Sequence, residues 1–162
     1  MVPVAPLEWH RMKTFQSLAE LAACVAQDVA VSEWVTITQE RINGFADVTG
    51  DHQWIHVDPE RAKAGPFGAP IAHGYLTLSL LPVFFDSALE VQGVRMGVNY
   101  GLNKERFPAP VPVGSRLRGC LHLMAAEPLE GNGYQFIWRL SVEREGSDRP
   151  VCVAEALVRQ YP

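Results

Sequence analysis

The sequence predicts an α+β domain in which an antiparallel β-sheet wraps one long buried helix. Three observations carry that expectation. Ile71 to Phe85 is the most apolar run in the chain, and a helix from about His73 to Ala88 would be apolar on nearly every face, which places it inside protein. Tyr134, Phe136, Trp138, Leu140 and Val142 alternate with polar or smaller residues, as a strand with one covered face does. The 162 residues suffice for one domain, and a sheet packed on a helix is a stable two-layer solution at that size.

The elements follow in order. Residues 1–12, with Pro3 and Pro6, read as a flexible leader with no basic n-region and no uninterrupted apolar stretch, and residues 13–162 as the folded domain. Phe15, Leu18, Leu21, Ala22 and Val25 recur at helical spacing, so a helix is expected from Thr14, its N-cap, to Ala26. Trp34 to Thr38 is a short β-prone run. Thr38 can cap a helix carrying Ile42, Phe45, Ala46 and Val48 that ends at Gly50. Asp58-Pro59 can start a short helix through Ala64, which Gly65-Pro66-Phe67-Gly68 and Pro70 break. After the buried helix come a strand over Val94–Leu102 and a proline-rich extended link over Phe107–Val113. A strand with Leu117, Leu121 and Leu123 on one side follows, then a turn at Gly131-Asn132-Gly133, the Tyr134–Val142 strand, and a last strand over Val151–Tyr161. Long apolar sheet edges invite pairing with a second copy, so a homodimer is expected.

Composition narrows the function classes. The chain is 48% hydrophobic and 20% charged with a net charge of −4, which is ordinary for a globular protein and gives no overall field to hold nucleic acid or an anionic membrane. The apolar run Ile71–Phe85 is interrupted by His73, Thr77, Ser79 and Pro82 and is too short to span a bilayer. Cys24, Cys120 and Cys152 are odd in number, far apart and form no CxxC pair, so three reduced thiols and a cytoplasmic location are expected.

The chemistry concentrates in Thr49-Gly-Asp-His-Gln-Trp-Ile-His-Val-Asp-Pro59. Asp51 and His56 lie five residues apart on a loop between two helix signals. A carboxylate that accepts hydrogen bonds and an imidazole that can donate or accept near neutral pH can grip one water and move its protons. The bland alternative is a cap or a surface pair. Trp54 and Ile55 between them dip the loop into apolar surroundings, and Ala72-His73-Gly74 opens the buried helix. Unpaired amides in a helix's first turn, with a glycine that admits a ligand close to the backbone, make a possible oxyanion hole. Tight helix–sheet packing explains a glycine there equally well.

The run Phe45-Ala-Asp-Val-Thr-Gly-Asp-His-Gln-Trp-Ile-His-Val-Asp-Pro59, followed by Ala62, Phe67, Ile71-Ala-His-Gly74 and Leu78, resembles the MaoC-like dehydratases, whose best-known members are (R)-specific enoyl-CoA hydratases of the hot-dog fold. Asn99-Tyr-Gly-Leu-Asn-Lys-Glu-Arg-Phe107 and Pro110-Val-Pro-Val-Gly114 resemble the family's following strand and turn, and the spelling is most similar to its NodN-like branch. The resemblance covers about Trp34 to Tyr161. It implies a single hot-dog domain and a catalytic set of Asp51, His56 and Gly74. It also implies reversible syn addition of water to a trans-2-enoyl-CoA, giving a (3R)-3-hydroxyacyl-CoA. Neither metal nor redox cofactor is implied, because the thioester itself acidifies the α-carbon. The partner is an acyl-CoA or acyl-ACP substrate.

Gln53-Trp54 replaces the Asn-Pro that many members of the family carry, so a shifted loop is expected, with Gln53 and Trp54 bordering the substrate. A serine that some hydratases carry further along the helix falls at Pro82 here, where a kink near the helix end is expected instead. His73 is expected to order the loop at the helix start and to border the substrate. Asn103 is expected near the pocket; Lys104 and Arg106, with Arg95, are expected either to meet coenzyme A phosphates or to belong to a solvated charged surface, and Leu78, Leu81, Phe84 and Phe85 are candidate walls of an acyl tunnel. His52 and His56 four residues apart lack the Glu and helical setting of a zincin, so no metal site is expected. A hot-dog thioesterase and a non-catalytic acyl-thioester binding protein stay open as alternatives.

Overall fold

The computed structural model describes residues 12–162, so the expected leader lies, Met12 apart, outside the described residues. The chain begins with β1 (Lys13–Phe15) and α1 (Leu18–Ala22). The expected Thr14–Ala26 helix is therefore a single turn. Phe15 is drawn into parallel pairing with β4 (Leu89–Val91), and Ser17, whose hydroxyl accepts from the Glu20 amide, is the N-cap in place of Thr14. Ala26 takes a left-handed φ of 66°, its amide donates to Leu123 O, and the chain turns into β2 (Gln27–Val31). Long-range pairing here overrides helical spacing.

Local chemistry decides the next elements. After β3 (Val35–Thr36), α2 (Gln39–Thr49) starts at Thr38, whose hydroxyl accepts from the Arg41 amide, and ends at Gly50 with φ 78°. That left-handed conformation is why a glycine stands immediately before Asp51. α3 (Trp54–Val57) follows, then α4 (Pro59–Lys63), capped by the Asp58 carboxylate on the Arg61 amide.

The central helix is in two segments, α5 (Gly74–Ser79) and α6 (Leu81–Ala88), where one continuous helix was expected. Pro82, in the first turn of α6, has no N–H to give the carbonyl four residues back, so the break falls mid-helix rather than near its end. Burial all round was also expected. Instead, within one chain only the sheet-facing side is covered: Phe84 is fully buried, whereas Tyr75 is 64% and Val83 41% exposed.

β5 (Met96–Arg106), β6 (Arg116–Pro128), β7 (Tyr134–Arg144) and β8 (Cys152–Tyr161) complete the sheet, ordered β2-β6-β7-β8-β5 with β3 also on β6. All its pairings are antiparallel. Between β6 and β7 a short 3-10 turn (Glu130–Asn132) places Gly131 and Asn132 at positive φ. Register brings Leu121 opposite Leu140 and Leu123 opposite Trp138, so large apolar residues line the face toward the helix. The helix approaches closely because small residues lie beneath it. A Cβ on Gly119 would sit 2.9 Å from Phe84 Cβ, and Ala154 and Ala156 of β8 are buried. The fold is thus α+β, with an antiparallel sheet curled around a central helix, as expected of the hot-dog class. Burial pushes the Cys120 and Cys152 thiols up to about 11, so both are protonated and unreactive at neutral pH. No helix among the described residues is long and apolar enough to cross a membrane.

Candidate active site

Three chain segments are laced together at the helix start. The Ile71 amide donates to Ile55 O (3.0 Å), and His56 Nδ1–H donates back to Ile71 O (2.7 Å), clamping α3 to the strand-like residues before α5. The Ala72 amide donates to Val111 O and the Val113 amide to Pro70 O, both at 2.8 Å, tying the same residues to the proline-rich link. From α2, Gln39 Nε2 donates to His56 O (2.8 Å). His56 is consequently held at both its backbone and its ring.

Asp51, His56 and His73 each bring a carboxylate oxygen or ring nitrogen within 4.8 Å of the others. His73 is 3% exposed, and its ring stacks on that of His56 at a centroid distance of 3.7 Å, with Phe45 on a neighbouring side at 5.0 Å. His73 Nε2–H donates to the Asp51 carbonyl (2.9 Å) and lies 4.0 Å from Asp51 Oδ2. Asp51 Oδ1 accepts from the Gln53 amide at 3.4 Å, so Oδ2 is free to face a ligand.

The hydrogen bonds assign the tautomers. With Nδ1 donating to Ile71 O, neutral His56 presents a bare Nε2 lone pair. Burial lowers the His56 pKa below the ordinary 6.5, opposed in part by the hydrogen bond to the Ile71 carbonyl; weaker repulsion from His73 adds to the lowering, and Asp51 pulls weakly upward. His56 is a neutral base at physiological pH. His52 faces the other way: it pairs with Asp47 on α2 at 2.9 Å, which holds its pKa above the usual histidine range. The cluster's geometry does not suit a shared metal ion. An ion binds in the plane of an imidazole, and rings tilted by only 25° and stacked at 3.7 Å send their lone pairs side by side rather than to one point.

Gly74 opens α5, so its amide has no partner within the helix. A Cβ there would lie 2.8 Å from the Phe107 ring, whose other neighbour is Tyr75, edge-on at 5.8 Å. Gly74 lines a cleft of about 320 Å³ whose further walls include Phe67, Ala72, Thr77, Phe107 and Val111.

The structure brings Asp51, His56 and His73 together, with Gly74 following His73 at the start of α5 and the Gln53 amide on the Asp51 carboxylate. Gln53 precedes α3 as its N-cap residue. Trp54 packs on α4, with the Arg61 guanidinium 4.5 Å above its ring and Gly65 against its edge. Asn103 is exposed and occupies a bulge in β5 with no register partner on β8. Lys104 pairs with Glu155 at 3.7 Å, and Arg106 donates to Glu105 O at 2.6 Å; both are exposed, one to three residues before Phe107. Leu78, Leu81 and Phe85 line a separate, mainly apolar groove of about 380 Å³ between the helix and β5, whereas Phe84 is consumed by the core against Gly119. Sequence reasoning passed over Thr77, a buried polar residue hidden in an apolar run, and Gln39, whose grip on His56 depends on tertiary placement.

Residues 20–131 match the family described as MaoC like domain. The 3-hydroxyacyl-thioester dehydratase Z of Mycobacterium tuberculosis is 58% identical over 148 residues, 91% of this chain and 98% of that protein. Nodulation protein N of Rhizobium leguminosarum bv. viciae is 43% identical over 140 residues, 85% of this chain and 87% of that protein. Among solved structures, unliganded R-hydratase PhaJ1 from Pseudomonas aeruginosa superposes with a TM-score of 0.64 at 28% identity, over 83% of this chain and 79% of that one.

Proposed function

The chain belongs to the MaoC-like domain family, and on that premise we propose that it is an (R)-specific enoyl-thioester hydratase, working in either direction between trans-2-enoyl and (3R)-3-hydroxyacyl thioesters. The observation that carries the proposal is the convergence of Asp51 and a neutral His56 from one short loop, beside the Gly74 amide. A water held by Asp51 Oδ2 and His56 Nε2 loses a proton to His56 as its oxygen bonds to C3. The electrons of the double bond move to the thioester oxygen, where the Gly74 amide receives the charge. The proton returns through the same pair to C2 on the same face, so one water is added and nothing else is consumed. No metal or redox cofactor enters, since the thioester supplies the electron sink. His73 holds the Asp51 backbone and the His56 ring in place.

In this reading the substrate carrier is coenzyme A or acyl carrier protein, and the mycobacterial relative's name, a 3-hydroxyacyl-thioester dehydratase, supports the thioester class. A homodimer is part of the reading. β5 is an edge strand exposed along nearly its whole length, with Met96, Val98, Tyr100 and Leu102 each at least 39% exposed, and the uncovered side of the helix lies near it. Three free thiols support a reducing cytoplasmic location.

The test mixes the purified protein with crotonyl-CoA and longer trans-2-enoyl-CoAs, following enoyl absorbance beside free thiol. Loss of absorbance without thiol release is expected. Thiol release would make the protein a thioesterase, and saturable binding with neither would make it a binding protein.

A further inference from the structure

Among the described residues, three buried side-chain atoms have no hydrogen-bond partner, and two of them, His73 Nδ1 and Thr77 Oγ1, lie at the start of α5. Thr77 is 1% exposed. A serine or threonine inside a helix commonly satisfies its hydroxyl on the carbonyl four residues back. Thr49 does so on Phe45 O and Ser79 on Tyr75 O, each at 2.6 Å. Thr77 does not. The corresponding carbonyl, His73 O, receives the amides of Leu76 (3.1 Å) and Thr77 itself (3.3 Å). Thr77 is instead among the residues that line the cleft at Gly74, three residues along the same helix face. The surrounding walls, Phe67, Ala72, Phe107 and Val111, are apolar and offer the hydroxyl nothing. A buried hydroxyl left without a partner destabilises the fold, so its retention beside a ligand cleft points to a ligand oxygen as the partner.

We infer that Thr77 is a catalytic residue whose hydroxyl donates a second hydrogen bond to the thioester oxygen, next to the Gly74 amide. The inference rests on the hydratase reading. Thr77 gives up no proton. Its bond shortens as negative charge moves onto that oxygen, and it weakens again when C2 is protonated.

The experiment compares the full-length wild type with Thr77→Val, Thr77→Ala and Thr77→Ser on crotonyl-CoA. Thr77→Val has the shape of threonine without the hydroxyl. It is expected to lower kcat on the order of a hundredfold, the usual loss for one oxyanion donor. KM should barely move, and the melting temperature should stay level or rise because an unmet polar group is gone. Thr77→Ala, which leaves space rather than filling it, should show the same loss of rate, and Thr77→Ser should recover most of it. As a second readout, the infrared carbonyl stretch of bound butyryl-CoA should lie at lower frequency in the wild type and Thr77→Ser than in Thr77→Val. Wild-type kcat in Thr77→Val, or a carbonyl stretch indifferent to the substitution, overturns the inference and leaves the hydratase reading intact. A lost rate with an unmoved carbonyl stretch and a displaced acid limb of the pH profile also overturns it, since the hydroxyl would then act through His73. A wild type that does not hydrate crotonyl-CoA overturns both.

Discussion

His73→Phe separates holding the site together from holding the fold together. Phenylalanine keeps a flat ring between His56 and Phe45, preserving the 3.7 Å stack, but removes the 2.9 Å bond to the Asp51 carbonyl. Losing that partly buried bond costs about 1 kcal/mol. Removing the unpartnered Nδ1 relieves about 1–3 kcal/mol, and the larger ring costs about 1–3 kcal/mol in overpacking. These contributions largely offset, so the loss of unfolding free energy by urea titration should stay within about 3 kcal/mol. Activity should not be spared. Asp51 loses its tie to His73, and a misplacement of about 1 Å in a catalytic group can cost a hundredfold in rate. The pH profile adds an independent sign. Repulsion from His73 is one of two causes that lower the His56 pKa, so its removal should move the acid limb of kcat/KM toward higher pH. A His73→Phe protein with wild-type kcat/KM and an unmoved acid limb would refute the reasoning, as would one destabilised well beyond about 3 kcal/mol.

Other outcomes follow from the same geometry. Because His56 titrates below the ordinary 6.5 when folded, the unfolded chain takes up its proton first as pH falls. Its contribution to stability should be complete above about pH 6.5 and be lost as pH drops through the folded value, measurable as a falling urea midpoint that His56→Gln flattens. Gly119→Ala should destabilise by about 1–3 kcal/mol, because the new methyl meets fully buried Phe84 at 2.9 Å; thermal unfolding reads it. Thr38→Ala should cost about 1 kcal/mol by removing the cap on Arg41 N, and should also lower kcat through α2, which carries the Gln39 bond to His56.

What was legible in the sequence was what local chemistry decides. Thr38, Gly50 and Asp58 mark helix ends because capping needs only a few consecutive residues, and the strict alternation from Tyr134 to Val142 fixed a strand and its buried face. Asp51 and His56 were singled out through a motif, and the structure sets a carboxylate oxygen of the one within 4.8 Å of a ring nitrogen of the other, with Gly74 following His73 at the start of α5. β2 and the true start of α1 were not legible, because β1 pairs with β4 (Lys13 opposite Leu89) and β2 with β6 still further along the chain (Gln27 opposite Leu123), and periodicity contains neither partner. Pro82 announced a break, but only the resting place of the two segments put it mid-helix. Trp54 looked like a pocket wall until Gly65 and Arg61 took its ring. Thr77 looked like one polar interruption in an apolar helix, and its significance lies in bonds it does not make, which no sequence spells out.

The most direct measurement is hydration of crotonyl-CoA by the wild type and by Asp51→Asn at equal concentration, with thiol release and product configuration read in parallel. The wild type should give (3R)-3-hydroxybutyryl-CoA without free thiol, and Asp51→Asn, folded and binding the thioester, should give none. Wild-type turnover in Asp51→Asn, or a product of the opposite configuration, would contradict a water shared between Asp51 and His56.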